Sequence, residues 1–501
     1  MKKLLIFSLL IISNFVLAQS ESTTNLTVKE SIEYKEKINS IDILAIHTSE
    51  SGKTAIARNG KKNIFFDIFD NNLNKTFSKT IKSNRKEKYV GDLYYNNQLK
   101  LFTVYAPKKD ERILYCHTLD LNSTSYTKTV IFETTVEKKQ NLFGSRKNHN
   151  TSFSLSPNGK YFAIATDNIR KNKNSYTIRV FDAKTEKLIY TKAYQEDIER
   201  YFIHNDLFID NDATTYSLGK LYLNDRAKEK SKGEANYQYI LNKISKEKNE
   251  ELVIDLKEKY IQSLKIFQVK EQLQLYGFYS ELKANRIKGG CSFIINKSNL
   301  SLQSLKSKDL PKKVYEDLYG YRTAKRKNKK KKELKNFYID YILKDSKDGV
   351  YLIAEEFFTT TRYVNAGVTA GGYYETIYHY DDLLILKFDS AGDLAWGRSV
   401  FKRADTPSYN AFLKDEKLHI ILNSGKNLSK KKDGRTKISK GFFESSALYD
   451  FEYSSDGKVS YNKIQDNKGK KYYTPYYGTY QSERFVMMNS RKKKKTFMIL
   501  E

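Results

Sequence analysis

Cysteine, proline and tryptophan are scarce in this 501-residue chain, at two, five and one respectively. Two cysteines, Cys116 and Cys291, cannot build a disulfide framework. Five prolines leave no proline-rich linker to separate domains. The six histidines (His47, His117, His149, His204, His379 and His419) are scattered, with no HExxH or other close ligand spacing, so no metal site is expected. Ala-rich helical heptads are missing. No GxSxG occurs, which leaves a nucleophile elbow without support. Gly52-Lys53-Thr54 resembles the end of a phosphate-binding loop, but the first glycine of that motif would fall at His47. No cofactor is expected.

The N-terminus does carry an apolar run. Lys2 and Lys3 precede Leu4–Leu17, and Val16 and Ala18 fit the −3 and −1 positions of a signal peptidase site. Residues 1–19 therefore read as a signal peptide, and residues 20–501 as an exported mature chain, periplasmic or secreted. No cysteine follows the run to take a lipid, and no later stretch is apolar enough to cross a bilayer.

What the chain has in quantity is 39 Tyr and 28 Phe, interleaved with Ile and Leu and punctuated by Asn, Asp, Ser and Gly. That composition favours strands. One pattern repeats: an alternating strand ends in a Phe-Asp-like pair, then a short polar turn, then another strand. The clearest copies turn at Asp70, Asp182 and Asp389, and weaker ones at Asp120, Ser245, Asn296 and Ser454. Asp and Asn suit such turns because their side chains bond the local backbone. Two more strand-like runs precede each copy. In one unit these are Thr151–Ser156 and Lys160–Asn168, split by Pro157-Asn158-Gly159. The unit is four antiparallel strands, a to d.

The run Ser156 to Ala165 (SPNGKYFAIA) followed by Tyr176–Asp182 resembles a blade of the TolB/WD40-like β-propellers of bacterial periplasmic proteins. Asp389 to Trp396 (DSAGDLAW) resembles the D-x-x-G-x-x-x-W turn of secreted bacterial propeller repeats. The WD40 Gly-His and Trp-Asp signatures are missing. The resemblance implies a fold and brings no catalytic residues.

Reading strands along the chain gives blades near 41–81, 89–135, 151–194, 200–256, 260–306, 337–402 and 408–465. Tyr472–Tyr480, Arg484–Asn489 and Thr496–Leu500 read as strands a, b and c of one more blade. Leu26–Tyr34 belongs to no other blade and would supply its strand d, leaving no open sheet edge. The expectation is an all-β, closed, eight-bladed propeller, with seven blades as the alternative. Insertions interrupt it at 307–336, where Leu310–Tyr319 reads as a short helix with Pro311 in its first turn, and at 359–380. Cys116 and Cys291 fall in strand c of blades 2 and 5, too far apart for a disulfide.

The formal net charge is +30. In such a blade the a–b and c–d turns share one face of the disc, and the b–c and d–a loops share the other. The c–d turns carry Asp70, Asp120, Asp182, Glu186, Asp389, Asp393 and Asp456. The b–c loops carry Arg58, Lys61, Lys62, Lys108, Lys109, Arg112, Arg170, Lys171, Lys173, Arg286, Lys430, Lys431, Lys432, Arg435, Arg491 and Lys492, and the d–a loops add Lys325–Lys335. These loop cations are the candidate site: a basic face for a polyanion such as an anionic glycan, an envelope surface or an acidic protein, with nucleic acid a weaker fit outside the cytoplasm. The protein is expected to be a monomeric binding or scaffold module. The alternative is a hydrolase or lyase of an acidic polysaccharide, with carboxylates around the channel. Its obvious carboxylate pairs are unpromising, because Glu355-Glu356 and Asp381-Asp382 are adjacent in strands and alternation should aim them at opposite faces. Asp206, Asp210 and Asp212 match no calcium-loop spacing. The tyrosine clusters at 363–380 and 472–480 are expected to pack between blades.

Overall fold

A computed structural model describes residues 24–36, 40–60, 62–108, 110–135, 151–170, 173–195, 202–223, 230–231, 234–281, 286–329, 332–365, 372–433, 435–438, 445–467, 472–489 and 493–501. The proposed signal peptide lies outside these residues. Eight antiparallel sheets each follow the order a-b-c-d and form an eight-bladed β-propeller. Blade 1 is Ser40–Thr48, Thr54–Gly60, Asn63–Phe69 and Lys75–Lys82. Blades 2 to 7 begin with Glu87–Tyr95, Thr151–Leu155, Phe202–Ile209, Tyr260–Val269, Phe337–Lys344 and Tyr409–Lys414.

Burial explains the strand sequences. Strands b and c have neighbouring blades on both faces and are buried along almost their whole length, as in Leu99–Val104 and Gly289–Ile295. Strand d lies outermost and mixes half-buried with exposed positions, as in Lys75–Lys82. Tyrosines suit this two-sided packing because ring and hydroxyl can serve different blades. The Tyr176 hydroxyl donates to Ser217 Oγ of the next blade at 2.5 Å, and Tyr190 to the Ala213 carbonyl at 2.8 Å. The turn aspartates act as their positions suggested: Asp70, Asp120, Asp182 and Asp389 each accept at least two backbone or side-chain bonds from their own turn.

The eighth blade is closed by both ends of the chain. Thr479–Gln481, Arg484–Asn489 and Lys494–Leu500 are its strands a, b and c, and Val28–Glu30 pairs antiparallel with Leu500–Met498 as strand d. Tyr34 and Lys35 extend that pairing to Lys495 and Lys494. Strand a is shorter than the sequence suggests. Pro475 starts a 3-10 turn over Pro475–Tyr477, so only Thr479 onward is extended, and Tyr473 keeps an isolated bridge to Asn489. Cys116 and Cys291 are buried free thiols in strand c of blades 2 and 5.

Both insertions contain regular secondary structure among the described residues. Between blades 5 and 6 the chain forms α1, Lys312–Tyr319, and α2, Tyr321–Lys329. Part of the expected lysine-rich loop is thus helical. In blade 6, strands b and c continue past the sheet as a hairpin, Val350–Asn365 paired with Gly372–Phe388. Among the described residues no helix is long and apolar enough to cross a membrane.

Candidate functional site

The strand-a residues of successive blades bond to one another around the inner wall. His47 of blade 1 contacts Asp92 of blade 2 through Nε2 and Gln481 of blade 8 through Nδ1, at 2.8 Å for the latter. His204 of blade 4 contacts Ser152 of blade 3 at 3.1 Å, and Lys265 of blade 5 donates to Asp206 of blade 4 at 3.0 Å. The Tyr409 hydroxyl of blade 7 donates to Asp340 of blade 6 at 2.9 Å. Both ring nitrogens of His47 are occupied, so neither is left for a substrate proton. The three aspartates near the start of blade 4 do not converge. Asp206 holds Lys265, Asp210 holds Lys297, and Asp212 accepts the Thr214 N–H at 2.9 Å.

Two charged clusters escaped the sequence reading. The first lies at the root of the blade 6 hairpin. Adjacent Asp381 and Asp382 both reach the Arg403 guanidinium, at 2.5 and 3.3 Å, and Glu356 lies 4.0 Å from it. Strand alternation fails here because a β-bulge shifts the register between Glu355 and Phe357. Lys402, buried, donates to Glu355 at 2.9 Å, the Tyr380 carbonyl at 2.7 Å and Ser408 at 2.9 Å. Burial, with Glu356 and Asp381 adding to it against Arg403, pushes the Asp382 carboxyl up to about 7. Burial likewise raises Glu356 and lowers Lys402. Each carboxylate thus lies against a cation, and the cluster anchors the hairpin.

The second cluster joins His419, Asp450 and Glu452, whose ligand atoms lie within 4.8 Å of one another. Asp450 holds His419 Nδ1 at 3.0 Å and accepts the Thr24 hydroxyl at 3.0 Å, while Glu452 holds Lys417 at 2.9 Å. The trio already carries internal partners and ties the N-terminal segment to blade 7.

The candidate loop cations fall into three groups. Arg58 is 1% exposed. Its guanidinium contacts Glu36 and Asp67 and donates to Ser40 Oγ at 2.6 Å. Arg112 is also buried, bonded to the Glu111 carbonyl at 2.8 Å. These two are corrections to the surface assignment: both lie within strands and are buried. Lys61, Lys109, Lys171, Arg491 and Lys492 lie outside the described residues, as do the side chains of Arg170, Lys173 and Lys430. Lys62 and Lys108 are exposed, Lys108 against Glu111 at 2.5 Å, and Arg286 is half-buried in a short pairing with Lys335.

Lys431, Lys432 and Arg435 are the members the structure brings to a common place. Their loop docks on the helical insertion. The Arg435 guanidinium donates to the Leu318 carbonyl at 3.2 Å, and the Tyr321 N–H to the Asp433 carbonyl at 3.1 Å. Gly320 joins α1 to α2 at φ 73°, and a Cβ there would meet Asp433 at 2.8 Å, so the close approach needs glycine. Arg403, Lys431 and Arg435 surround the Phe401 ring at 4.8, 5.8 and 4.7 Å. Next to them α2 buries Ala324 and exposes Arg322, Lys325 and Arg326, which share one helix face. Among the described residues, Arg322, Lys325, Arg326, Lys431 and Lys432 have no ion-pair partner. The signal for α2 was its lysine run, which composition alone could not distinguish from a loop.

No protein-family model and no curated protein matches the chain. Solved structures similar in architecture include virginiamycin B lyase from Staphylococcus aureus, with 9% identity over 79% of this chain and 96% of the lyase and a TM-score of 0.35. Prolyl oligopeptidase B from Galerina marginata matches with 10% identity over 93% of this chain and 56% of its own, at 0.40. Acylaminoacyl peptidase from Pyrococcus horikoshii matches with 9% identity over 89% and 57%, at 0.37. The chain spans about half the length of these two peptidases. Likeness at this level transfers no activity.

Proposed function

We propose that this propeller is a non-enzymatic, exported binding module that recruits a polyanion to the face carrying its b–c and d–a loops. The observation that supports this reading most is the unpaired basic edge of α2, where Arg322, Lys325 and Arg326 stand beside Lys431 and Lys432. The opposite face has its turn aspartates, and its lysines there are interleaved with them. Unpaired cations on one edge concentrate an anionic chain by direct attraction and by release of its counterions. Lysine and arginine on the exposed face of a helix bind a flexible polymer without demanding a fixed sequence, which favours an anionic glycan.

Chromatography on heparin tests the reading. The triple variant Arg322→Glu, Lys325→Glu, Arg326→Glu should elute at clearly lower salt than wild type. A control with the same charge change on the other face, Lys184→Glu, Lys187→Glu, Lys246→Glu, should elute much closer to wild type. Equal shifts in the two variants would mean that net charge alone governs retention, and the basic-edge reading would fall.

A further inference from the structure

We propose that the carboxylate cluster at the root of the blade 6 hairpin is a pH gate on the basic edge: ionised, it holds positive charge back from a polyanion, and on taking up a proton it releases that charge. This deepens the polyanion reading and rests on it.

The gate and the edge share one face of the disc. Strands b and c of blade 6 leave the sheet on the b–c side, and Lys402 and Arg403 follow strand d into the d–a connection. Arg403 stands between the two groups of charges. On one side Asp381, Asp382 and Glu356 share its guanidinium. On the other it meets the Phe401 ring, which Lys431 and Arg435 also contact. The Arg403 side chain is 41% exposed, so the charge that the carboxylates leave uncancelled reaches solvent beside the basic loop.

A second link runs through the helical insertion. Tyr319, the last residue of α1, feels the charges of Glu356, Asp382 and Arg403, and Lys327 of α2 lies over its ring at 3.5 Å. Lys327 and Lys335 act in turn on Glu356. The helix that exposes Arg322, Lys325 and Arg326 is therefore coupled to the same carboxylates.

The balance of charges makes the cluster titrate. Glu355 is matched by Lys402 at 2.9 Å. Asp381, Asp382 and Glu356 are left with one guanidinium in contact and the two lysines of the insertion beyond it. Carboxylates crowded on one cation repel one another, and burial adds to the cost, so the most enclosed takes the first proton. That group is Asp382: its side chain is 3% exposed, it accepts the Lys402 N–H at 3.2 Å, and its carboxyl is the one raised to about 7. Tyr319, pushed up to about 12 chiefly by burial, stays neutral. His379, on the same strand, is turned to Thr360 at 2.8 Å and stacks on Phe358 at 4.4 Å. As pH falls through 7, Asp382 loses its charge, Arg403 and the lysines are less compensated, and the edge attracts a polyanion more strongly. By reciprocity, a bound polyanion draws a proton onto the cluster.

Heparin stays fully ionised between pH 5.5 and 8.5, so its affinity for the full mature chain, titrated at one ionic strength, reads the charge of the protein. Wild type should bind at least threefold tighter at pH 5.5 than at pH 8.5. Asp382→Asn should bind at least threefold tighter than wild type at pH 8.5 and match it at pH 5.5. Calorimetry at pH 7 in buffers of different ionisation enthalpy should show proton uptake on binding, reduced in Asp382→Asn. Glu356→Gln should also raise affinity at pH 8.5 and serves if the asparagine variant does not fold. Unchanged affinity at pH 8.5 in a folded variant would overturn the gate. Asp456→Asn makes the same charge change in an exposed turn of the opposite face. It should gain little, and a gain equal to that of Asp382→Asn would mean that net charge alone governs affinity and would overturn the gate. His379→Gln should keep the wild-type pH dependence, and its loss there would assign the step to the histidine instead. Absence of any pH step while the α2 charge reversal still lowers heparin elution would remove the gate and leave the polyanion reading standing. If that reversal also has no specific effect, both fall.

Discussion

Replacing Arg58 by methionine should destabilise the protein by about 3–5 kcal/mol at neutral pH, the usual result of removing one partner from a buried ion pair. Arg58 is the cation on which the N-terminal segment and blade 1 meet. Its side chain is 1% exposed, and the carboxylates it contacts, Glu36 and Asp67, are 5% and 0% exposed. Methionine keeps much of the side-chain volume, so the loss is electrostatic rather than a cavity. Lys75, 3.9 Å from Asp67, remains as partial compensation. Protonation sets a ceiling on the cost. A carboxyl with an ordinary pKa near 4 can be neutralised at pH 7 for about 1.4 kcal/mol per unit, roughly 4 kcal/mol for each of the two carboxyls. At pH 5 the ceiling drops to about 1.5 kcal/mol for each. The penalty should therefore shrink between pH 7 and pH 5. Adding Glu36→Gln and Asp67→Asn should recover most of it at pH 7, because no buried charge is then left unpaired. Equilibrium urea unfolding of the single and triple variants at both pH values measures this, and proteolysis near the N-terminus reports whether strand d of blade 8 detaches first. A penalty below about 1 kcal/mol would refute the argument, as would one that neither depends on pH nor responds to the paired substitutions.

Three further outcomes are expected. Asp382, held near 7 in the fold against about 4 when unfolded, binds more protons in the native state over that interval, so its contribution to stability is present at low pH and lost as pH rises from about 4 to 7. Asp382→Asn should flatten that slope in urea midpoints and gain more at pH 8 than at pH 5; an unchanged slope would remove Asp382 as its source. Lys495 is pushed down to about 8 by burial, with Arg58 adding to the effect. An unfolded lysine keeps its proton to about 10.4, so stability rises with pH between those values, and Lys495→Met should exceed wild type by more at pH 7 than at pH 10. The loss of the bond from Lys495 to the Ser40 carbonyl at 3.0 Å affects both pH values and cancels in the comparison. Burial raises both cysteine thiols, so a thiol reagent such as DTNB should find neither in the native protein and both after denaturation; fast native labelling would contradict the packing of Cys116 and Cys291 between blades.

Much of the fold was legible because a propeller repeats. Seven turns at aspartate, asparagine or serine mark strands c and d, and the eighth blade was implied by three unpaired strands at one end and one at the other. The turn aspartates could be read as structural because an Asx turn is local: Asp70, Asp182 and Asp389 bond within four residues of themselves. The location of the chain ends in one sheet followed from counting, since an open edge would be left otherwise. The basic b–c and d–a loops were likewise visible as composition once strand order was known.

Which cations are available to a partner was decided only in three dimensions. Sequence placed Arg58 and Lys432 in the same class, yet the fold buries the first against Glu36 of the N-terminal segment and Asp67 of its own blade and leaves the second in solvent. Alternation separated Asp381 from Asp382, yet a bulge turns both onto Arg403. A cleft lined by Lys313, Asp317, Tyr321, Arg398 and Tyr461 joins residues from α1, α2 and two blades, and no periodicity in the chain relates them. Local hydrogen bonding and repeat length are properties of short segments, so the sequence by itself determined the strands, their turns and the ring they close. Burial and charge pairing depend on which segments meet across blades, so only the tertiary structure decided where the free charge lies and where a ligand would fit.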